Sequence, residues 1–261
     1  MPNHYTVTET SYNSVSYRYI KTPIELIRPL IINQPLCATS NIGINGGHYA
    51  PAEKDVYNVP PKAGVSINWY KESDGTIDTN SHLTNDADQD NTIYRGTLCV
   101  FRTASGIARA FVVRTTDVDS VIRENTACDF FAMIGGGSLA LLNTDDVWET
   151  IQANEQFDAL AYNLPLARRS AIGYKYDATD GIVYAYLIVS LEWTNLAGIR
   201  NFCKNSLQLD DAIHLDGSGS TQMQWYDTAG NLQKDKGSDK NNSTMPNGRY
   251  IWNMVKITNP A

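Results

Sequence analysis

Apolar and polar positions alternate over much of this chain, a pattern that predicts strands with one buried face. From Tyr5 to Tyr19, Thr, Ser and Asn alternate with Val and Tyr, as in an edge strand or hairpin. Prolines at 23, 29 and 35 forbid a long helix between Thr22 and Leu36. Asn41 to Pro51 reads as an apolar strand breaking into a Gly46-Gly47 turn. Runs at Thr97 to Phe101, Ala110 to Arg114 and Phe130 to Ile134 predict three more strands, the last entering Gly135-Gly136-Gly137-Ser138. Ile182 to Ser190 is apolar on both faces and predicts a central strand covered on both sides. Ala212 to Asp216, Gln222 to Tyr226 and Tyr250 to Ile257 complete the strand set.

Helical spacing is convincing in two places. One helix begins near Asn143 or Thr144 with Asp145 and Asp146 in its first turn, and Val147, Trp148, Ile151 and Phe157 form its candidate buried side. The other runs from a candidate N-cap at Thr194 to Leu207, with Leu196, Ile199, Phe202 and Cys203 inward. The stretches Asn68 to Asn91 and Asp227 to Ser243 read as polar loops. Many short strands with two helices between them predict an α+β fold: a single domain with a mixed, mostly antiparallel β-sheet core and a few packing helices. Residues 1–40 are expected to supply edge strands integrated with a domain spanning 41–261.

Composition narrows the function classes. At 261 residues, with 42% hydrophobic and 19% charged positions, the chain has globular values and no marked joint. A net charge of −7 argues against binding a nucleic-acid polymer, which demands clustered cations. The start lacks a basic segment followed by an apolar one, and Ile182 to Val189 is too short to span a bilayer. The expectation is a soluble, cytoplasmic or phage-associated protein with no membrane partner. Four widely spaced cysteines without a C-x-x-C pair fit buried free thiols. Asp74 to Asp78 looks superficially like a calcium loop. Aligning Gly75 with that loop's invariant glycine, however, puts Tyr70 and Ser81 at ligand positions. Asp86, Asp88 and Asp90 read as a solvated loop, and no metal or other cofactor is expected.

The densest candidate chemistry is Ala212-Ile213-His214-Leu215-Asp216, followed by Gly217-Ser218-Gly219-Ser220. Alternation along extended backbone puts His214 and Asp216 on the face opposite Ile213 and Leu215. The glycines let backbone N–H groups converge on an anion. An Asx-type turn ending a buried strand reads the same residues without a ligand. Arg168-Arg169 brings two cations to the mouth of another strand, although an exposed pair of this kind is usually only solvated.

Four motifs occur in order: Asn45-Gly46-Gly47-His48-Tyr49, Gly135-Gly136-Gly137-Ser138, Arg169-Ser170-Ala171-Ile172-Gly173 and Leu215-Asp216-Gly217-Ser218-Gly219-Ser220. Together they resemble the phosphodiester glycosidase family, with its patterns N-G-G-F-F, G-G-G-P, P-R-T-A-I-G and N-L-D-G-G-G-S, over residues 41 to 257. Arg249 matches an arginine expected near the domain's end. His48, Ser138, Arg168, His214, Ser218 and Gly248 depart from the pattern. The resemblance implies hydrolysis of the glycosidic C–O bond of a sugar-1-phosphodiester, on a small molecule or glycan. It implies catalytic roles for Asp216, Arg169 and His214. Substrate contacts would come from Asn45, Gly46, Gly47, His48, Gly136, Gly137, Ser170, Gly217, Ser218, Gly219, Ser220 and Arg249. The departures leave two alternatives: a glycan- or nucleotide-binding module on the same scaffold, or a phage or bacterial enzyme degrading a nucleotide-type signalling molecule.

Overall fold

Three antiparallel sheets carry the chain in the computed structural model, which describes residues 4–50, 52, 58–88, 91–156, 166–237 and 245–259. The six-stranded sheet runs Thr6–Tyr12, Val15–Pro23, Ile182–Ser190, Ser170–Asp177, Asp211–His214 and Gly137–Ser138 in spatial order. The four-stranded sheet holds Ala108–Thr115, Arg95–Arg102, Asp129–Gly135 and Asn68–Tyr70. Leu232–Asp235, Met223–Tyr226, Gly43–Asn45, Ile251–Ile257 and Ile27–Gln34 make the five-stranded sheet. The architecture is α+β as expected. The sheet core is divided among these three larger sheets, two two-stranded ones lie beside them, and the strand pairings among the described residues are antiparallel.

The three sheets share one core. Ile20, Ile172 and Leu187 from the first, Leu98 and Ile134 from the second, and Val255 from the third are essentially excluded from water. Each such side chain contributes about 1.5–3 kcal/mol by burial. The Ile182–Ser190 strand is central, as its two-sided apolar pattern predicts: Leu187 and Val189 face that core, while Tyr186 and Ile188 face a second cluster under the helices. Val15–Pro23 pairs with it on one side and with Thr6–Tyr12 on the other, so it is an interior strand, while Thr6–Tyr12 and Ile27–Gln34 lie at sheet edges. All four cysteines are free; Cys37, Cys99 and Cys203 are buried and Cys128 is partly so.

The helices differ from expectation in detail. Asp145–Asn154 turns Trp148 and Gln152 inward and leaves Val147 exposed, because residues four apart share a face and Val147 is a third of a turn away. Trp148 Nε1 and Gln152 Nε2 both donate to the carbonyl of Ser138, so a polar residue occupies the inner face where an acceptor awaits it. Phe157 lies outside the described residues. Asn195, not Thr194, caps the next helix by accepting from Gly198 N, and the α-helix Leu196–Asn201 passes into a π-helix over Phe202–Leu207. A short helix, Val118–Glu124, capped by Asp117, lies beyond the apolar run that predicts only a strand. The polar stretch after Asp227 contains the strand Leu232–Asp235, whose sequence carries a single apolar residue. Asp86 is buried, its carboxylate 3.2 Å from His82 Nε2 and receiving Thr84 Oγ1, so it is no solvated loop residue. The side chains of Asp88 and Asp90 lie outside the description.

Gly136 shows how tightly the sheets meet. Its N–H donates to Gly96 O, and a Cβ there would stand 2.2 Å from the His214 carbonyl oxygen. Gly136→Ala is expected to destabilise the fold by about 3 kcal/mol or more through forced separation of paired backbones. Gly106→Ala, at a positive φ with nothing within 4 Å, should cost only about 1 kcal/mol. Urea unfolding of the two variants measures the difference; equal losses would contradict this packing.

Candidate functional site

The strand Gly43–Asn45 lies between Ile251–Ile257 and Met223–Tyr226 and delivers Asn45 to the seam where the five- and six-stranded sheets meet. There its side chain is saturated. Nδ2 donates to Asp216 O at 2.7 Å and Gly46 O at 3.3 Å, while Oδ1 accepts from Ser170 Oγ at 2.7 Å and Gln222 N at 3.2 Å. Two donors and two lone pairs are the whole capacity of an amide. Asn45 and the Ser170 hydroxyl are therefore committed to holding loops together, in place of the substrate contacts the resemblance implies for them.

The glycine turns are likewise structural where their N–H groups are accounted for. Gly46 N donates to Asn253 O, Ser218 N to Arg168 O, Ser220 N to Gly217 O and Asp216 N to Gly46 O. A Cβ on Gly46 would meet the Asn253 amide oxygen at 2.3 Å, and one on Gly47 the Gly135 oxygen at 2.4 Å. Close approach of backbones, more than anion binding, requires these glycines. Gly137 pairs with His214 across the sheet and lies behind the site.

Asp216 follows the strand Asp211–His214 and lies just beyond its end, with its side chain 19% exposed. Two guanidinium groups act on it. Arg249 Nη2 is 3.6 Å from its Oδ2, while Arg169, whose Nη1 lies beside Gly217, interacts with it electrostatically. Arg169 donates from Nε to Thr194 O at 3.3 Å, and burial lowers its pKa to about 10. Burial pushes the Asp216 carboxyl above the ordinary value; Arg249, the Ser220 hydroxyl and Gly217 N–H pull against it. Ser220 also receives Arg249 Nε at 2.8 Å and a second bond from Nη2. Tyr49 donates to Tyr250 O at 2.8 Å, lies 3.2 Å from Ser220 Oγ, and presents its ring to the Arg249 guanidinium. Tyr49 stands inside the first motif, and only its phenol, one place after His48, could have marked it from sequence.

Arg168, paired with Arg169 in sequence, is not solvated. It is buried and makes a two-pronged ion pair with Asp235 at 2.7 and 2.6 Å, plus a bond from Nε to Ser190 O. Its own carbonyl receives Ser218 N, so this clamp shapes the turn after Asp216.

His214 and Asp216 both feel the Arg169 guanidinium, and the strand Asp211–His214 ends between them. His214 is buried, with Nε2 3.1 Å from Gln152 Oε1 and its ring edge-on to His48 at 5.6 Å. Burial and the nearby guanidinium groups lower the pKa of His48 to about 3 and hold His214 well below the usual range. Behind them, Glu155 is fully buried and takes Ser138 N and Oγ at 2.8 and 2.6 Å. Among the described residues no three His, Cys, Asp or Glu side chains converge as a metal-binding group. Two guanidiniums act on one carboxylate here, and the forks of such groups suit an anion.

No family model matches the sequence, and no curated protein matches it. Among solved structures, the chain is similar to the catalytic domain of zebrafish N-acetylglucosamine-1-phosphodiester alpha-N-acetylglucosaminidase, auto-inhibited by its pro-peptide. The two are 16% identical with a TM-score of 0.54, covering 98% of this chain and 82% of that one. It is also similar to a hypothetical protein from Synechocystis, at 11% identity and a TM-score of 0.52, covering 97% of this chain and 61% of that one. At these identities the likeness shows a shared fold.

Proposed function

We propose that this chain is a hydrolase that cleaves the glycosidic C–O bond of a sugar-1-phosphodiester. The observation that carries the reading is the Asp216 carboxylate, 3.6 Å from Arg249 and within the electrostatic influence of Arg169, at a partly open seam. The fold shared with an enzyme whose name specifies a sugar 1-phosphodiester supports it. The phosphate lies against the two guanidinium forks, which neutralise the charge that grows on the departing phosphomonoester. Such a leaving group needs little protonation, so the chemistry asks for one carboxylate. Asp216, as base toward water or as the anion facing the developing positive charge at the anomeric carbon, supplies it.

His48 and His214 carry no proton in this scheme. Both are neutral near pH 7 and add no charge beside Arg169.

Asp216→Asn and Arg169→Lys should each reduce release of free sugar from glycosyl phosphodiesters at least about 100-fold, the scale of losing one group that stabilises developing charge. Mass spectrometry of the products measures this; full activity in both variants would overturn the assignment, and a ligand bound but recovered uncleaved by the unsubstituted protein would make it a binding module. Where turnover is seen, kcat/KM should fall on acidification, with a midpoint above the ordinary aspartate value, because the raised carboxyl takes up its proton early. A separate consequence concerns stability. His48 has a folded pKa of about 3 against 6.5 unfolded, so the unfolded state binds more protons between those values and stability falls as pH drops below about 6.5. His48→Phe should remove about 2 kcal/mol of the loss between pH 7 and pH 5, read from urea unfolding at both. An unchanged pH dependence would mean that His48 titrates normally.

A further inference from the structure

A second concave feature carries chemistry that the hydrolase reading does not use. A cavity of about 630 Å3 lies where four separated segments meet: Tyr5 at the start of the first strand, the approach to Gly43–Asn45, the hairpin between Met223–Tyr226 and Leu232–Asp235, and the end of Ile251–Ile257. Pockets for small ligands run to about 300–1,000 Å3, so the size is suitable. Its walls are fastened to one another. Tyr226 N donates to the Tyr5 phenol at 2.8 Å, and Ile257 N donates to Ile42 O at 2.8 Å. The first of these bonds uses the Tyr5 oxygen as an acceptor and leaves its hydrogen to give.

The polar groups of this lining contrast with those of the seam. Asn45 has every donor and acceptor filled, whereas Asn41 engages Thr39 and Gln224 through its backbone alone. Among the described residues the side-chain amides of Asn41 and Asn259 and the ammonium of Lys256 have no partner. Arg28, opposite Lys256 across the strand pair, is spent on Glu72 at 2.7 Å and Asp78 at 3.2 Å. Asp227, next after Tyr226, turns its carboxylate onto Ala229 N, Asn231 N and Gln233 Nε2. The described lining thus holds one cation and no acid.

We propose that this cavity is a second ligand site, separate from the Asp216 seam, and that it takes a saccharide unit bearing one anionic group. The ring lies against Tyr5 and Tyr226, its hydroxyls meet the Asn41 and Asn259 amides, and the anion meets Lys256. Tyrosines offer rigid, amphipathic contact area at low entropic cost. An amide presents a donor and an acceptor side by side, which a sugar hydroxyl needs, since it both gives and receives. The ammonium is a point charge that accepts either a uronate carboxylate or a sugar phosphate, without the two-pronged geometry of a guanidinium. One strand carries both places: Ile42 borders the cavity and Asn45 reaches the seam, about 10 Å apart along extended backbone. Occupancy of the cavity does not depend on turnover at Asp216.

The test is an amide NMR titration of nitrogen-15-labelled protein with glucuronate, glucose 6-phosphate, glucose and inorganic phosphate. Asn41, Gly230 and Ile257 report on the cavity, and Gly217 to Thr221 on the seam, so the two places are read separately. Glucuronate or glucose 6-phosphate should shift the first set saturably, and the tighter of the two identifies the anion as carboxylate or phosphate. Lys256→Gln should weaken that binding about 10-fold or more, the scale of one hydrogen bond to a charged group, and bring it to the level of glucose. Tyr226→Ala should weaken the charged sugars and glucose alike. If Lys256→Gln does not fold, Asn41→Ala, which removes an uncommitted amide, takes its place and should also weaken the sugars. Shifts confined to Gly217 to Thr221, or none from either charged sugar, overturn the proposal. So do binding of glucose as tight as that of the charged sugars, and binding of phosphate as tight as theirs, which would leave an anion site without a saccharide.

Discussion

The saturated amide of Asn45 is the constraint on which the candidate site depends. It sits at the end of a fully buried strand, and its four bonds reach the loop at Asp216, its own turn at Gly46, the strand start at Ser170 and the strand approach at Gln222. A sheet can bond its own backbone, but where two sheets abut, their loops need another source of donors and acceptors. Buried amides supply it repeatedly here. Asn85 joins Ile67 N to Thr97 and Thr115, Asn253 reaches Asn68, and Gln222 bridges Leu36 N to Arg249 O. Unlike carboxylates, they bear no charge, so they fasten the seam without disturbing the electrostatics beside it.

The charges that are buried divide into two kinds. Arg95, Arg168 and Arg200 give much of their donor capacity to backbone carbonyls: Glu155 O and Asp86 O for the first, Ser190 O for the second, Leu139 O and Asn143 O for the third. They act as staples from side chain to backbone, and the planar fork of arginine suits that use. Asp235 completes the satisfaction of Arg168. Truncating one side of such a buried pair costs about 3–5 kcal/mol because the other charge is stranded. Arg200 also pairs with the exposed Asp145, whereas Arg169 and Arg249 differ from the staples in both acting on one carboxylate, Asp216.

The sequence made the strands legible because alternation and two-sided apolar runs are local signals, and Ile182–Ser190 was read correctly for that reason. It also carried the four glycine motifs, with Asp216, Arg169 and Arg249 standing out beside them. What it could not carry is which valences are already filled. Asn45, Ser170 and the N–H groups of Gly46 and Ser218 look like ligand donors until their partners, some of them well over a hundred residues away, are known. The partners of His214 are equally invisible in sequence: its Nε2 lies 3.1 Å from Gln152 Oε1 and its ring stands edge-on to His48. Leu232–Asp235 escaped notice because a strand with one apolar residue has no pattern, although its last residue clamps Arg168. Val147 is exposed and Gln152 takes an inner position beside Trp148, because Gln152 finds an acceptor at Ser138 O that no sequence pattern marks.

The contacts at Asp216 span nearly the whole chain: Asn45 is 171 residues from it, and Tyr49 meets the carbonyl of Tyr250 across 201. Closing loops of that length comes late and slowly, since chain entropy must be overcome before any of these bonds can form. An emerging or truncated chain that lacks the region of Arg249 has none of the arrangement around the carboxylate, however complete its earlier strands. Competence at this seam is therefore a property of the finished molecule, so any chemistry performed there doubles as a report that the last strand has found its place.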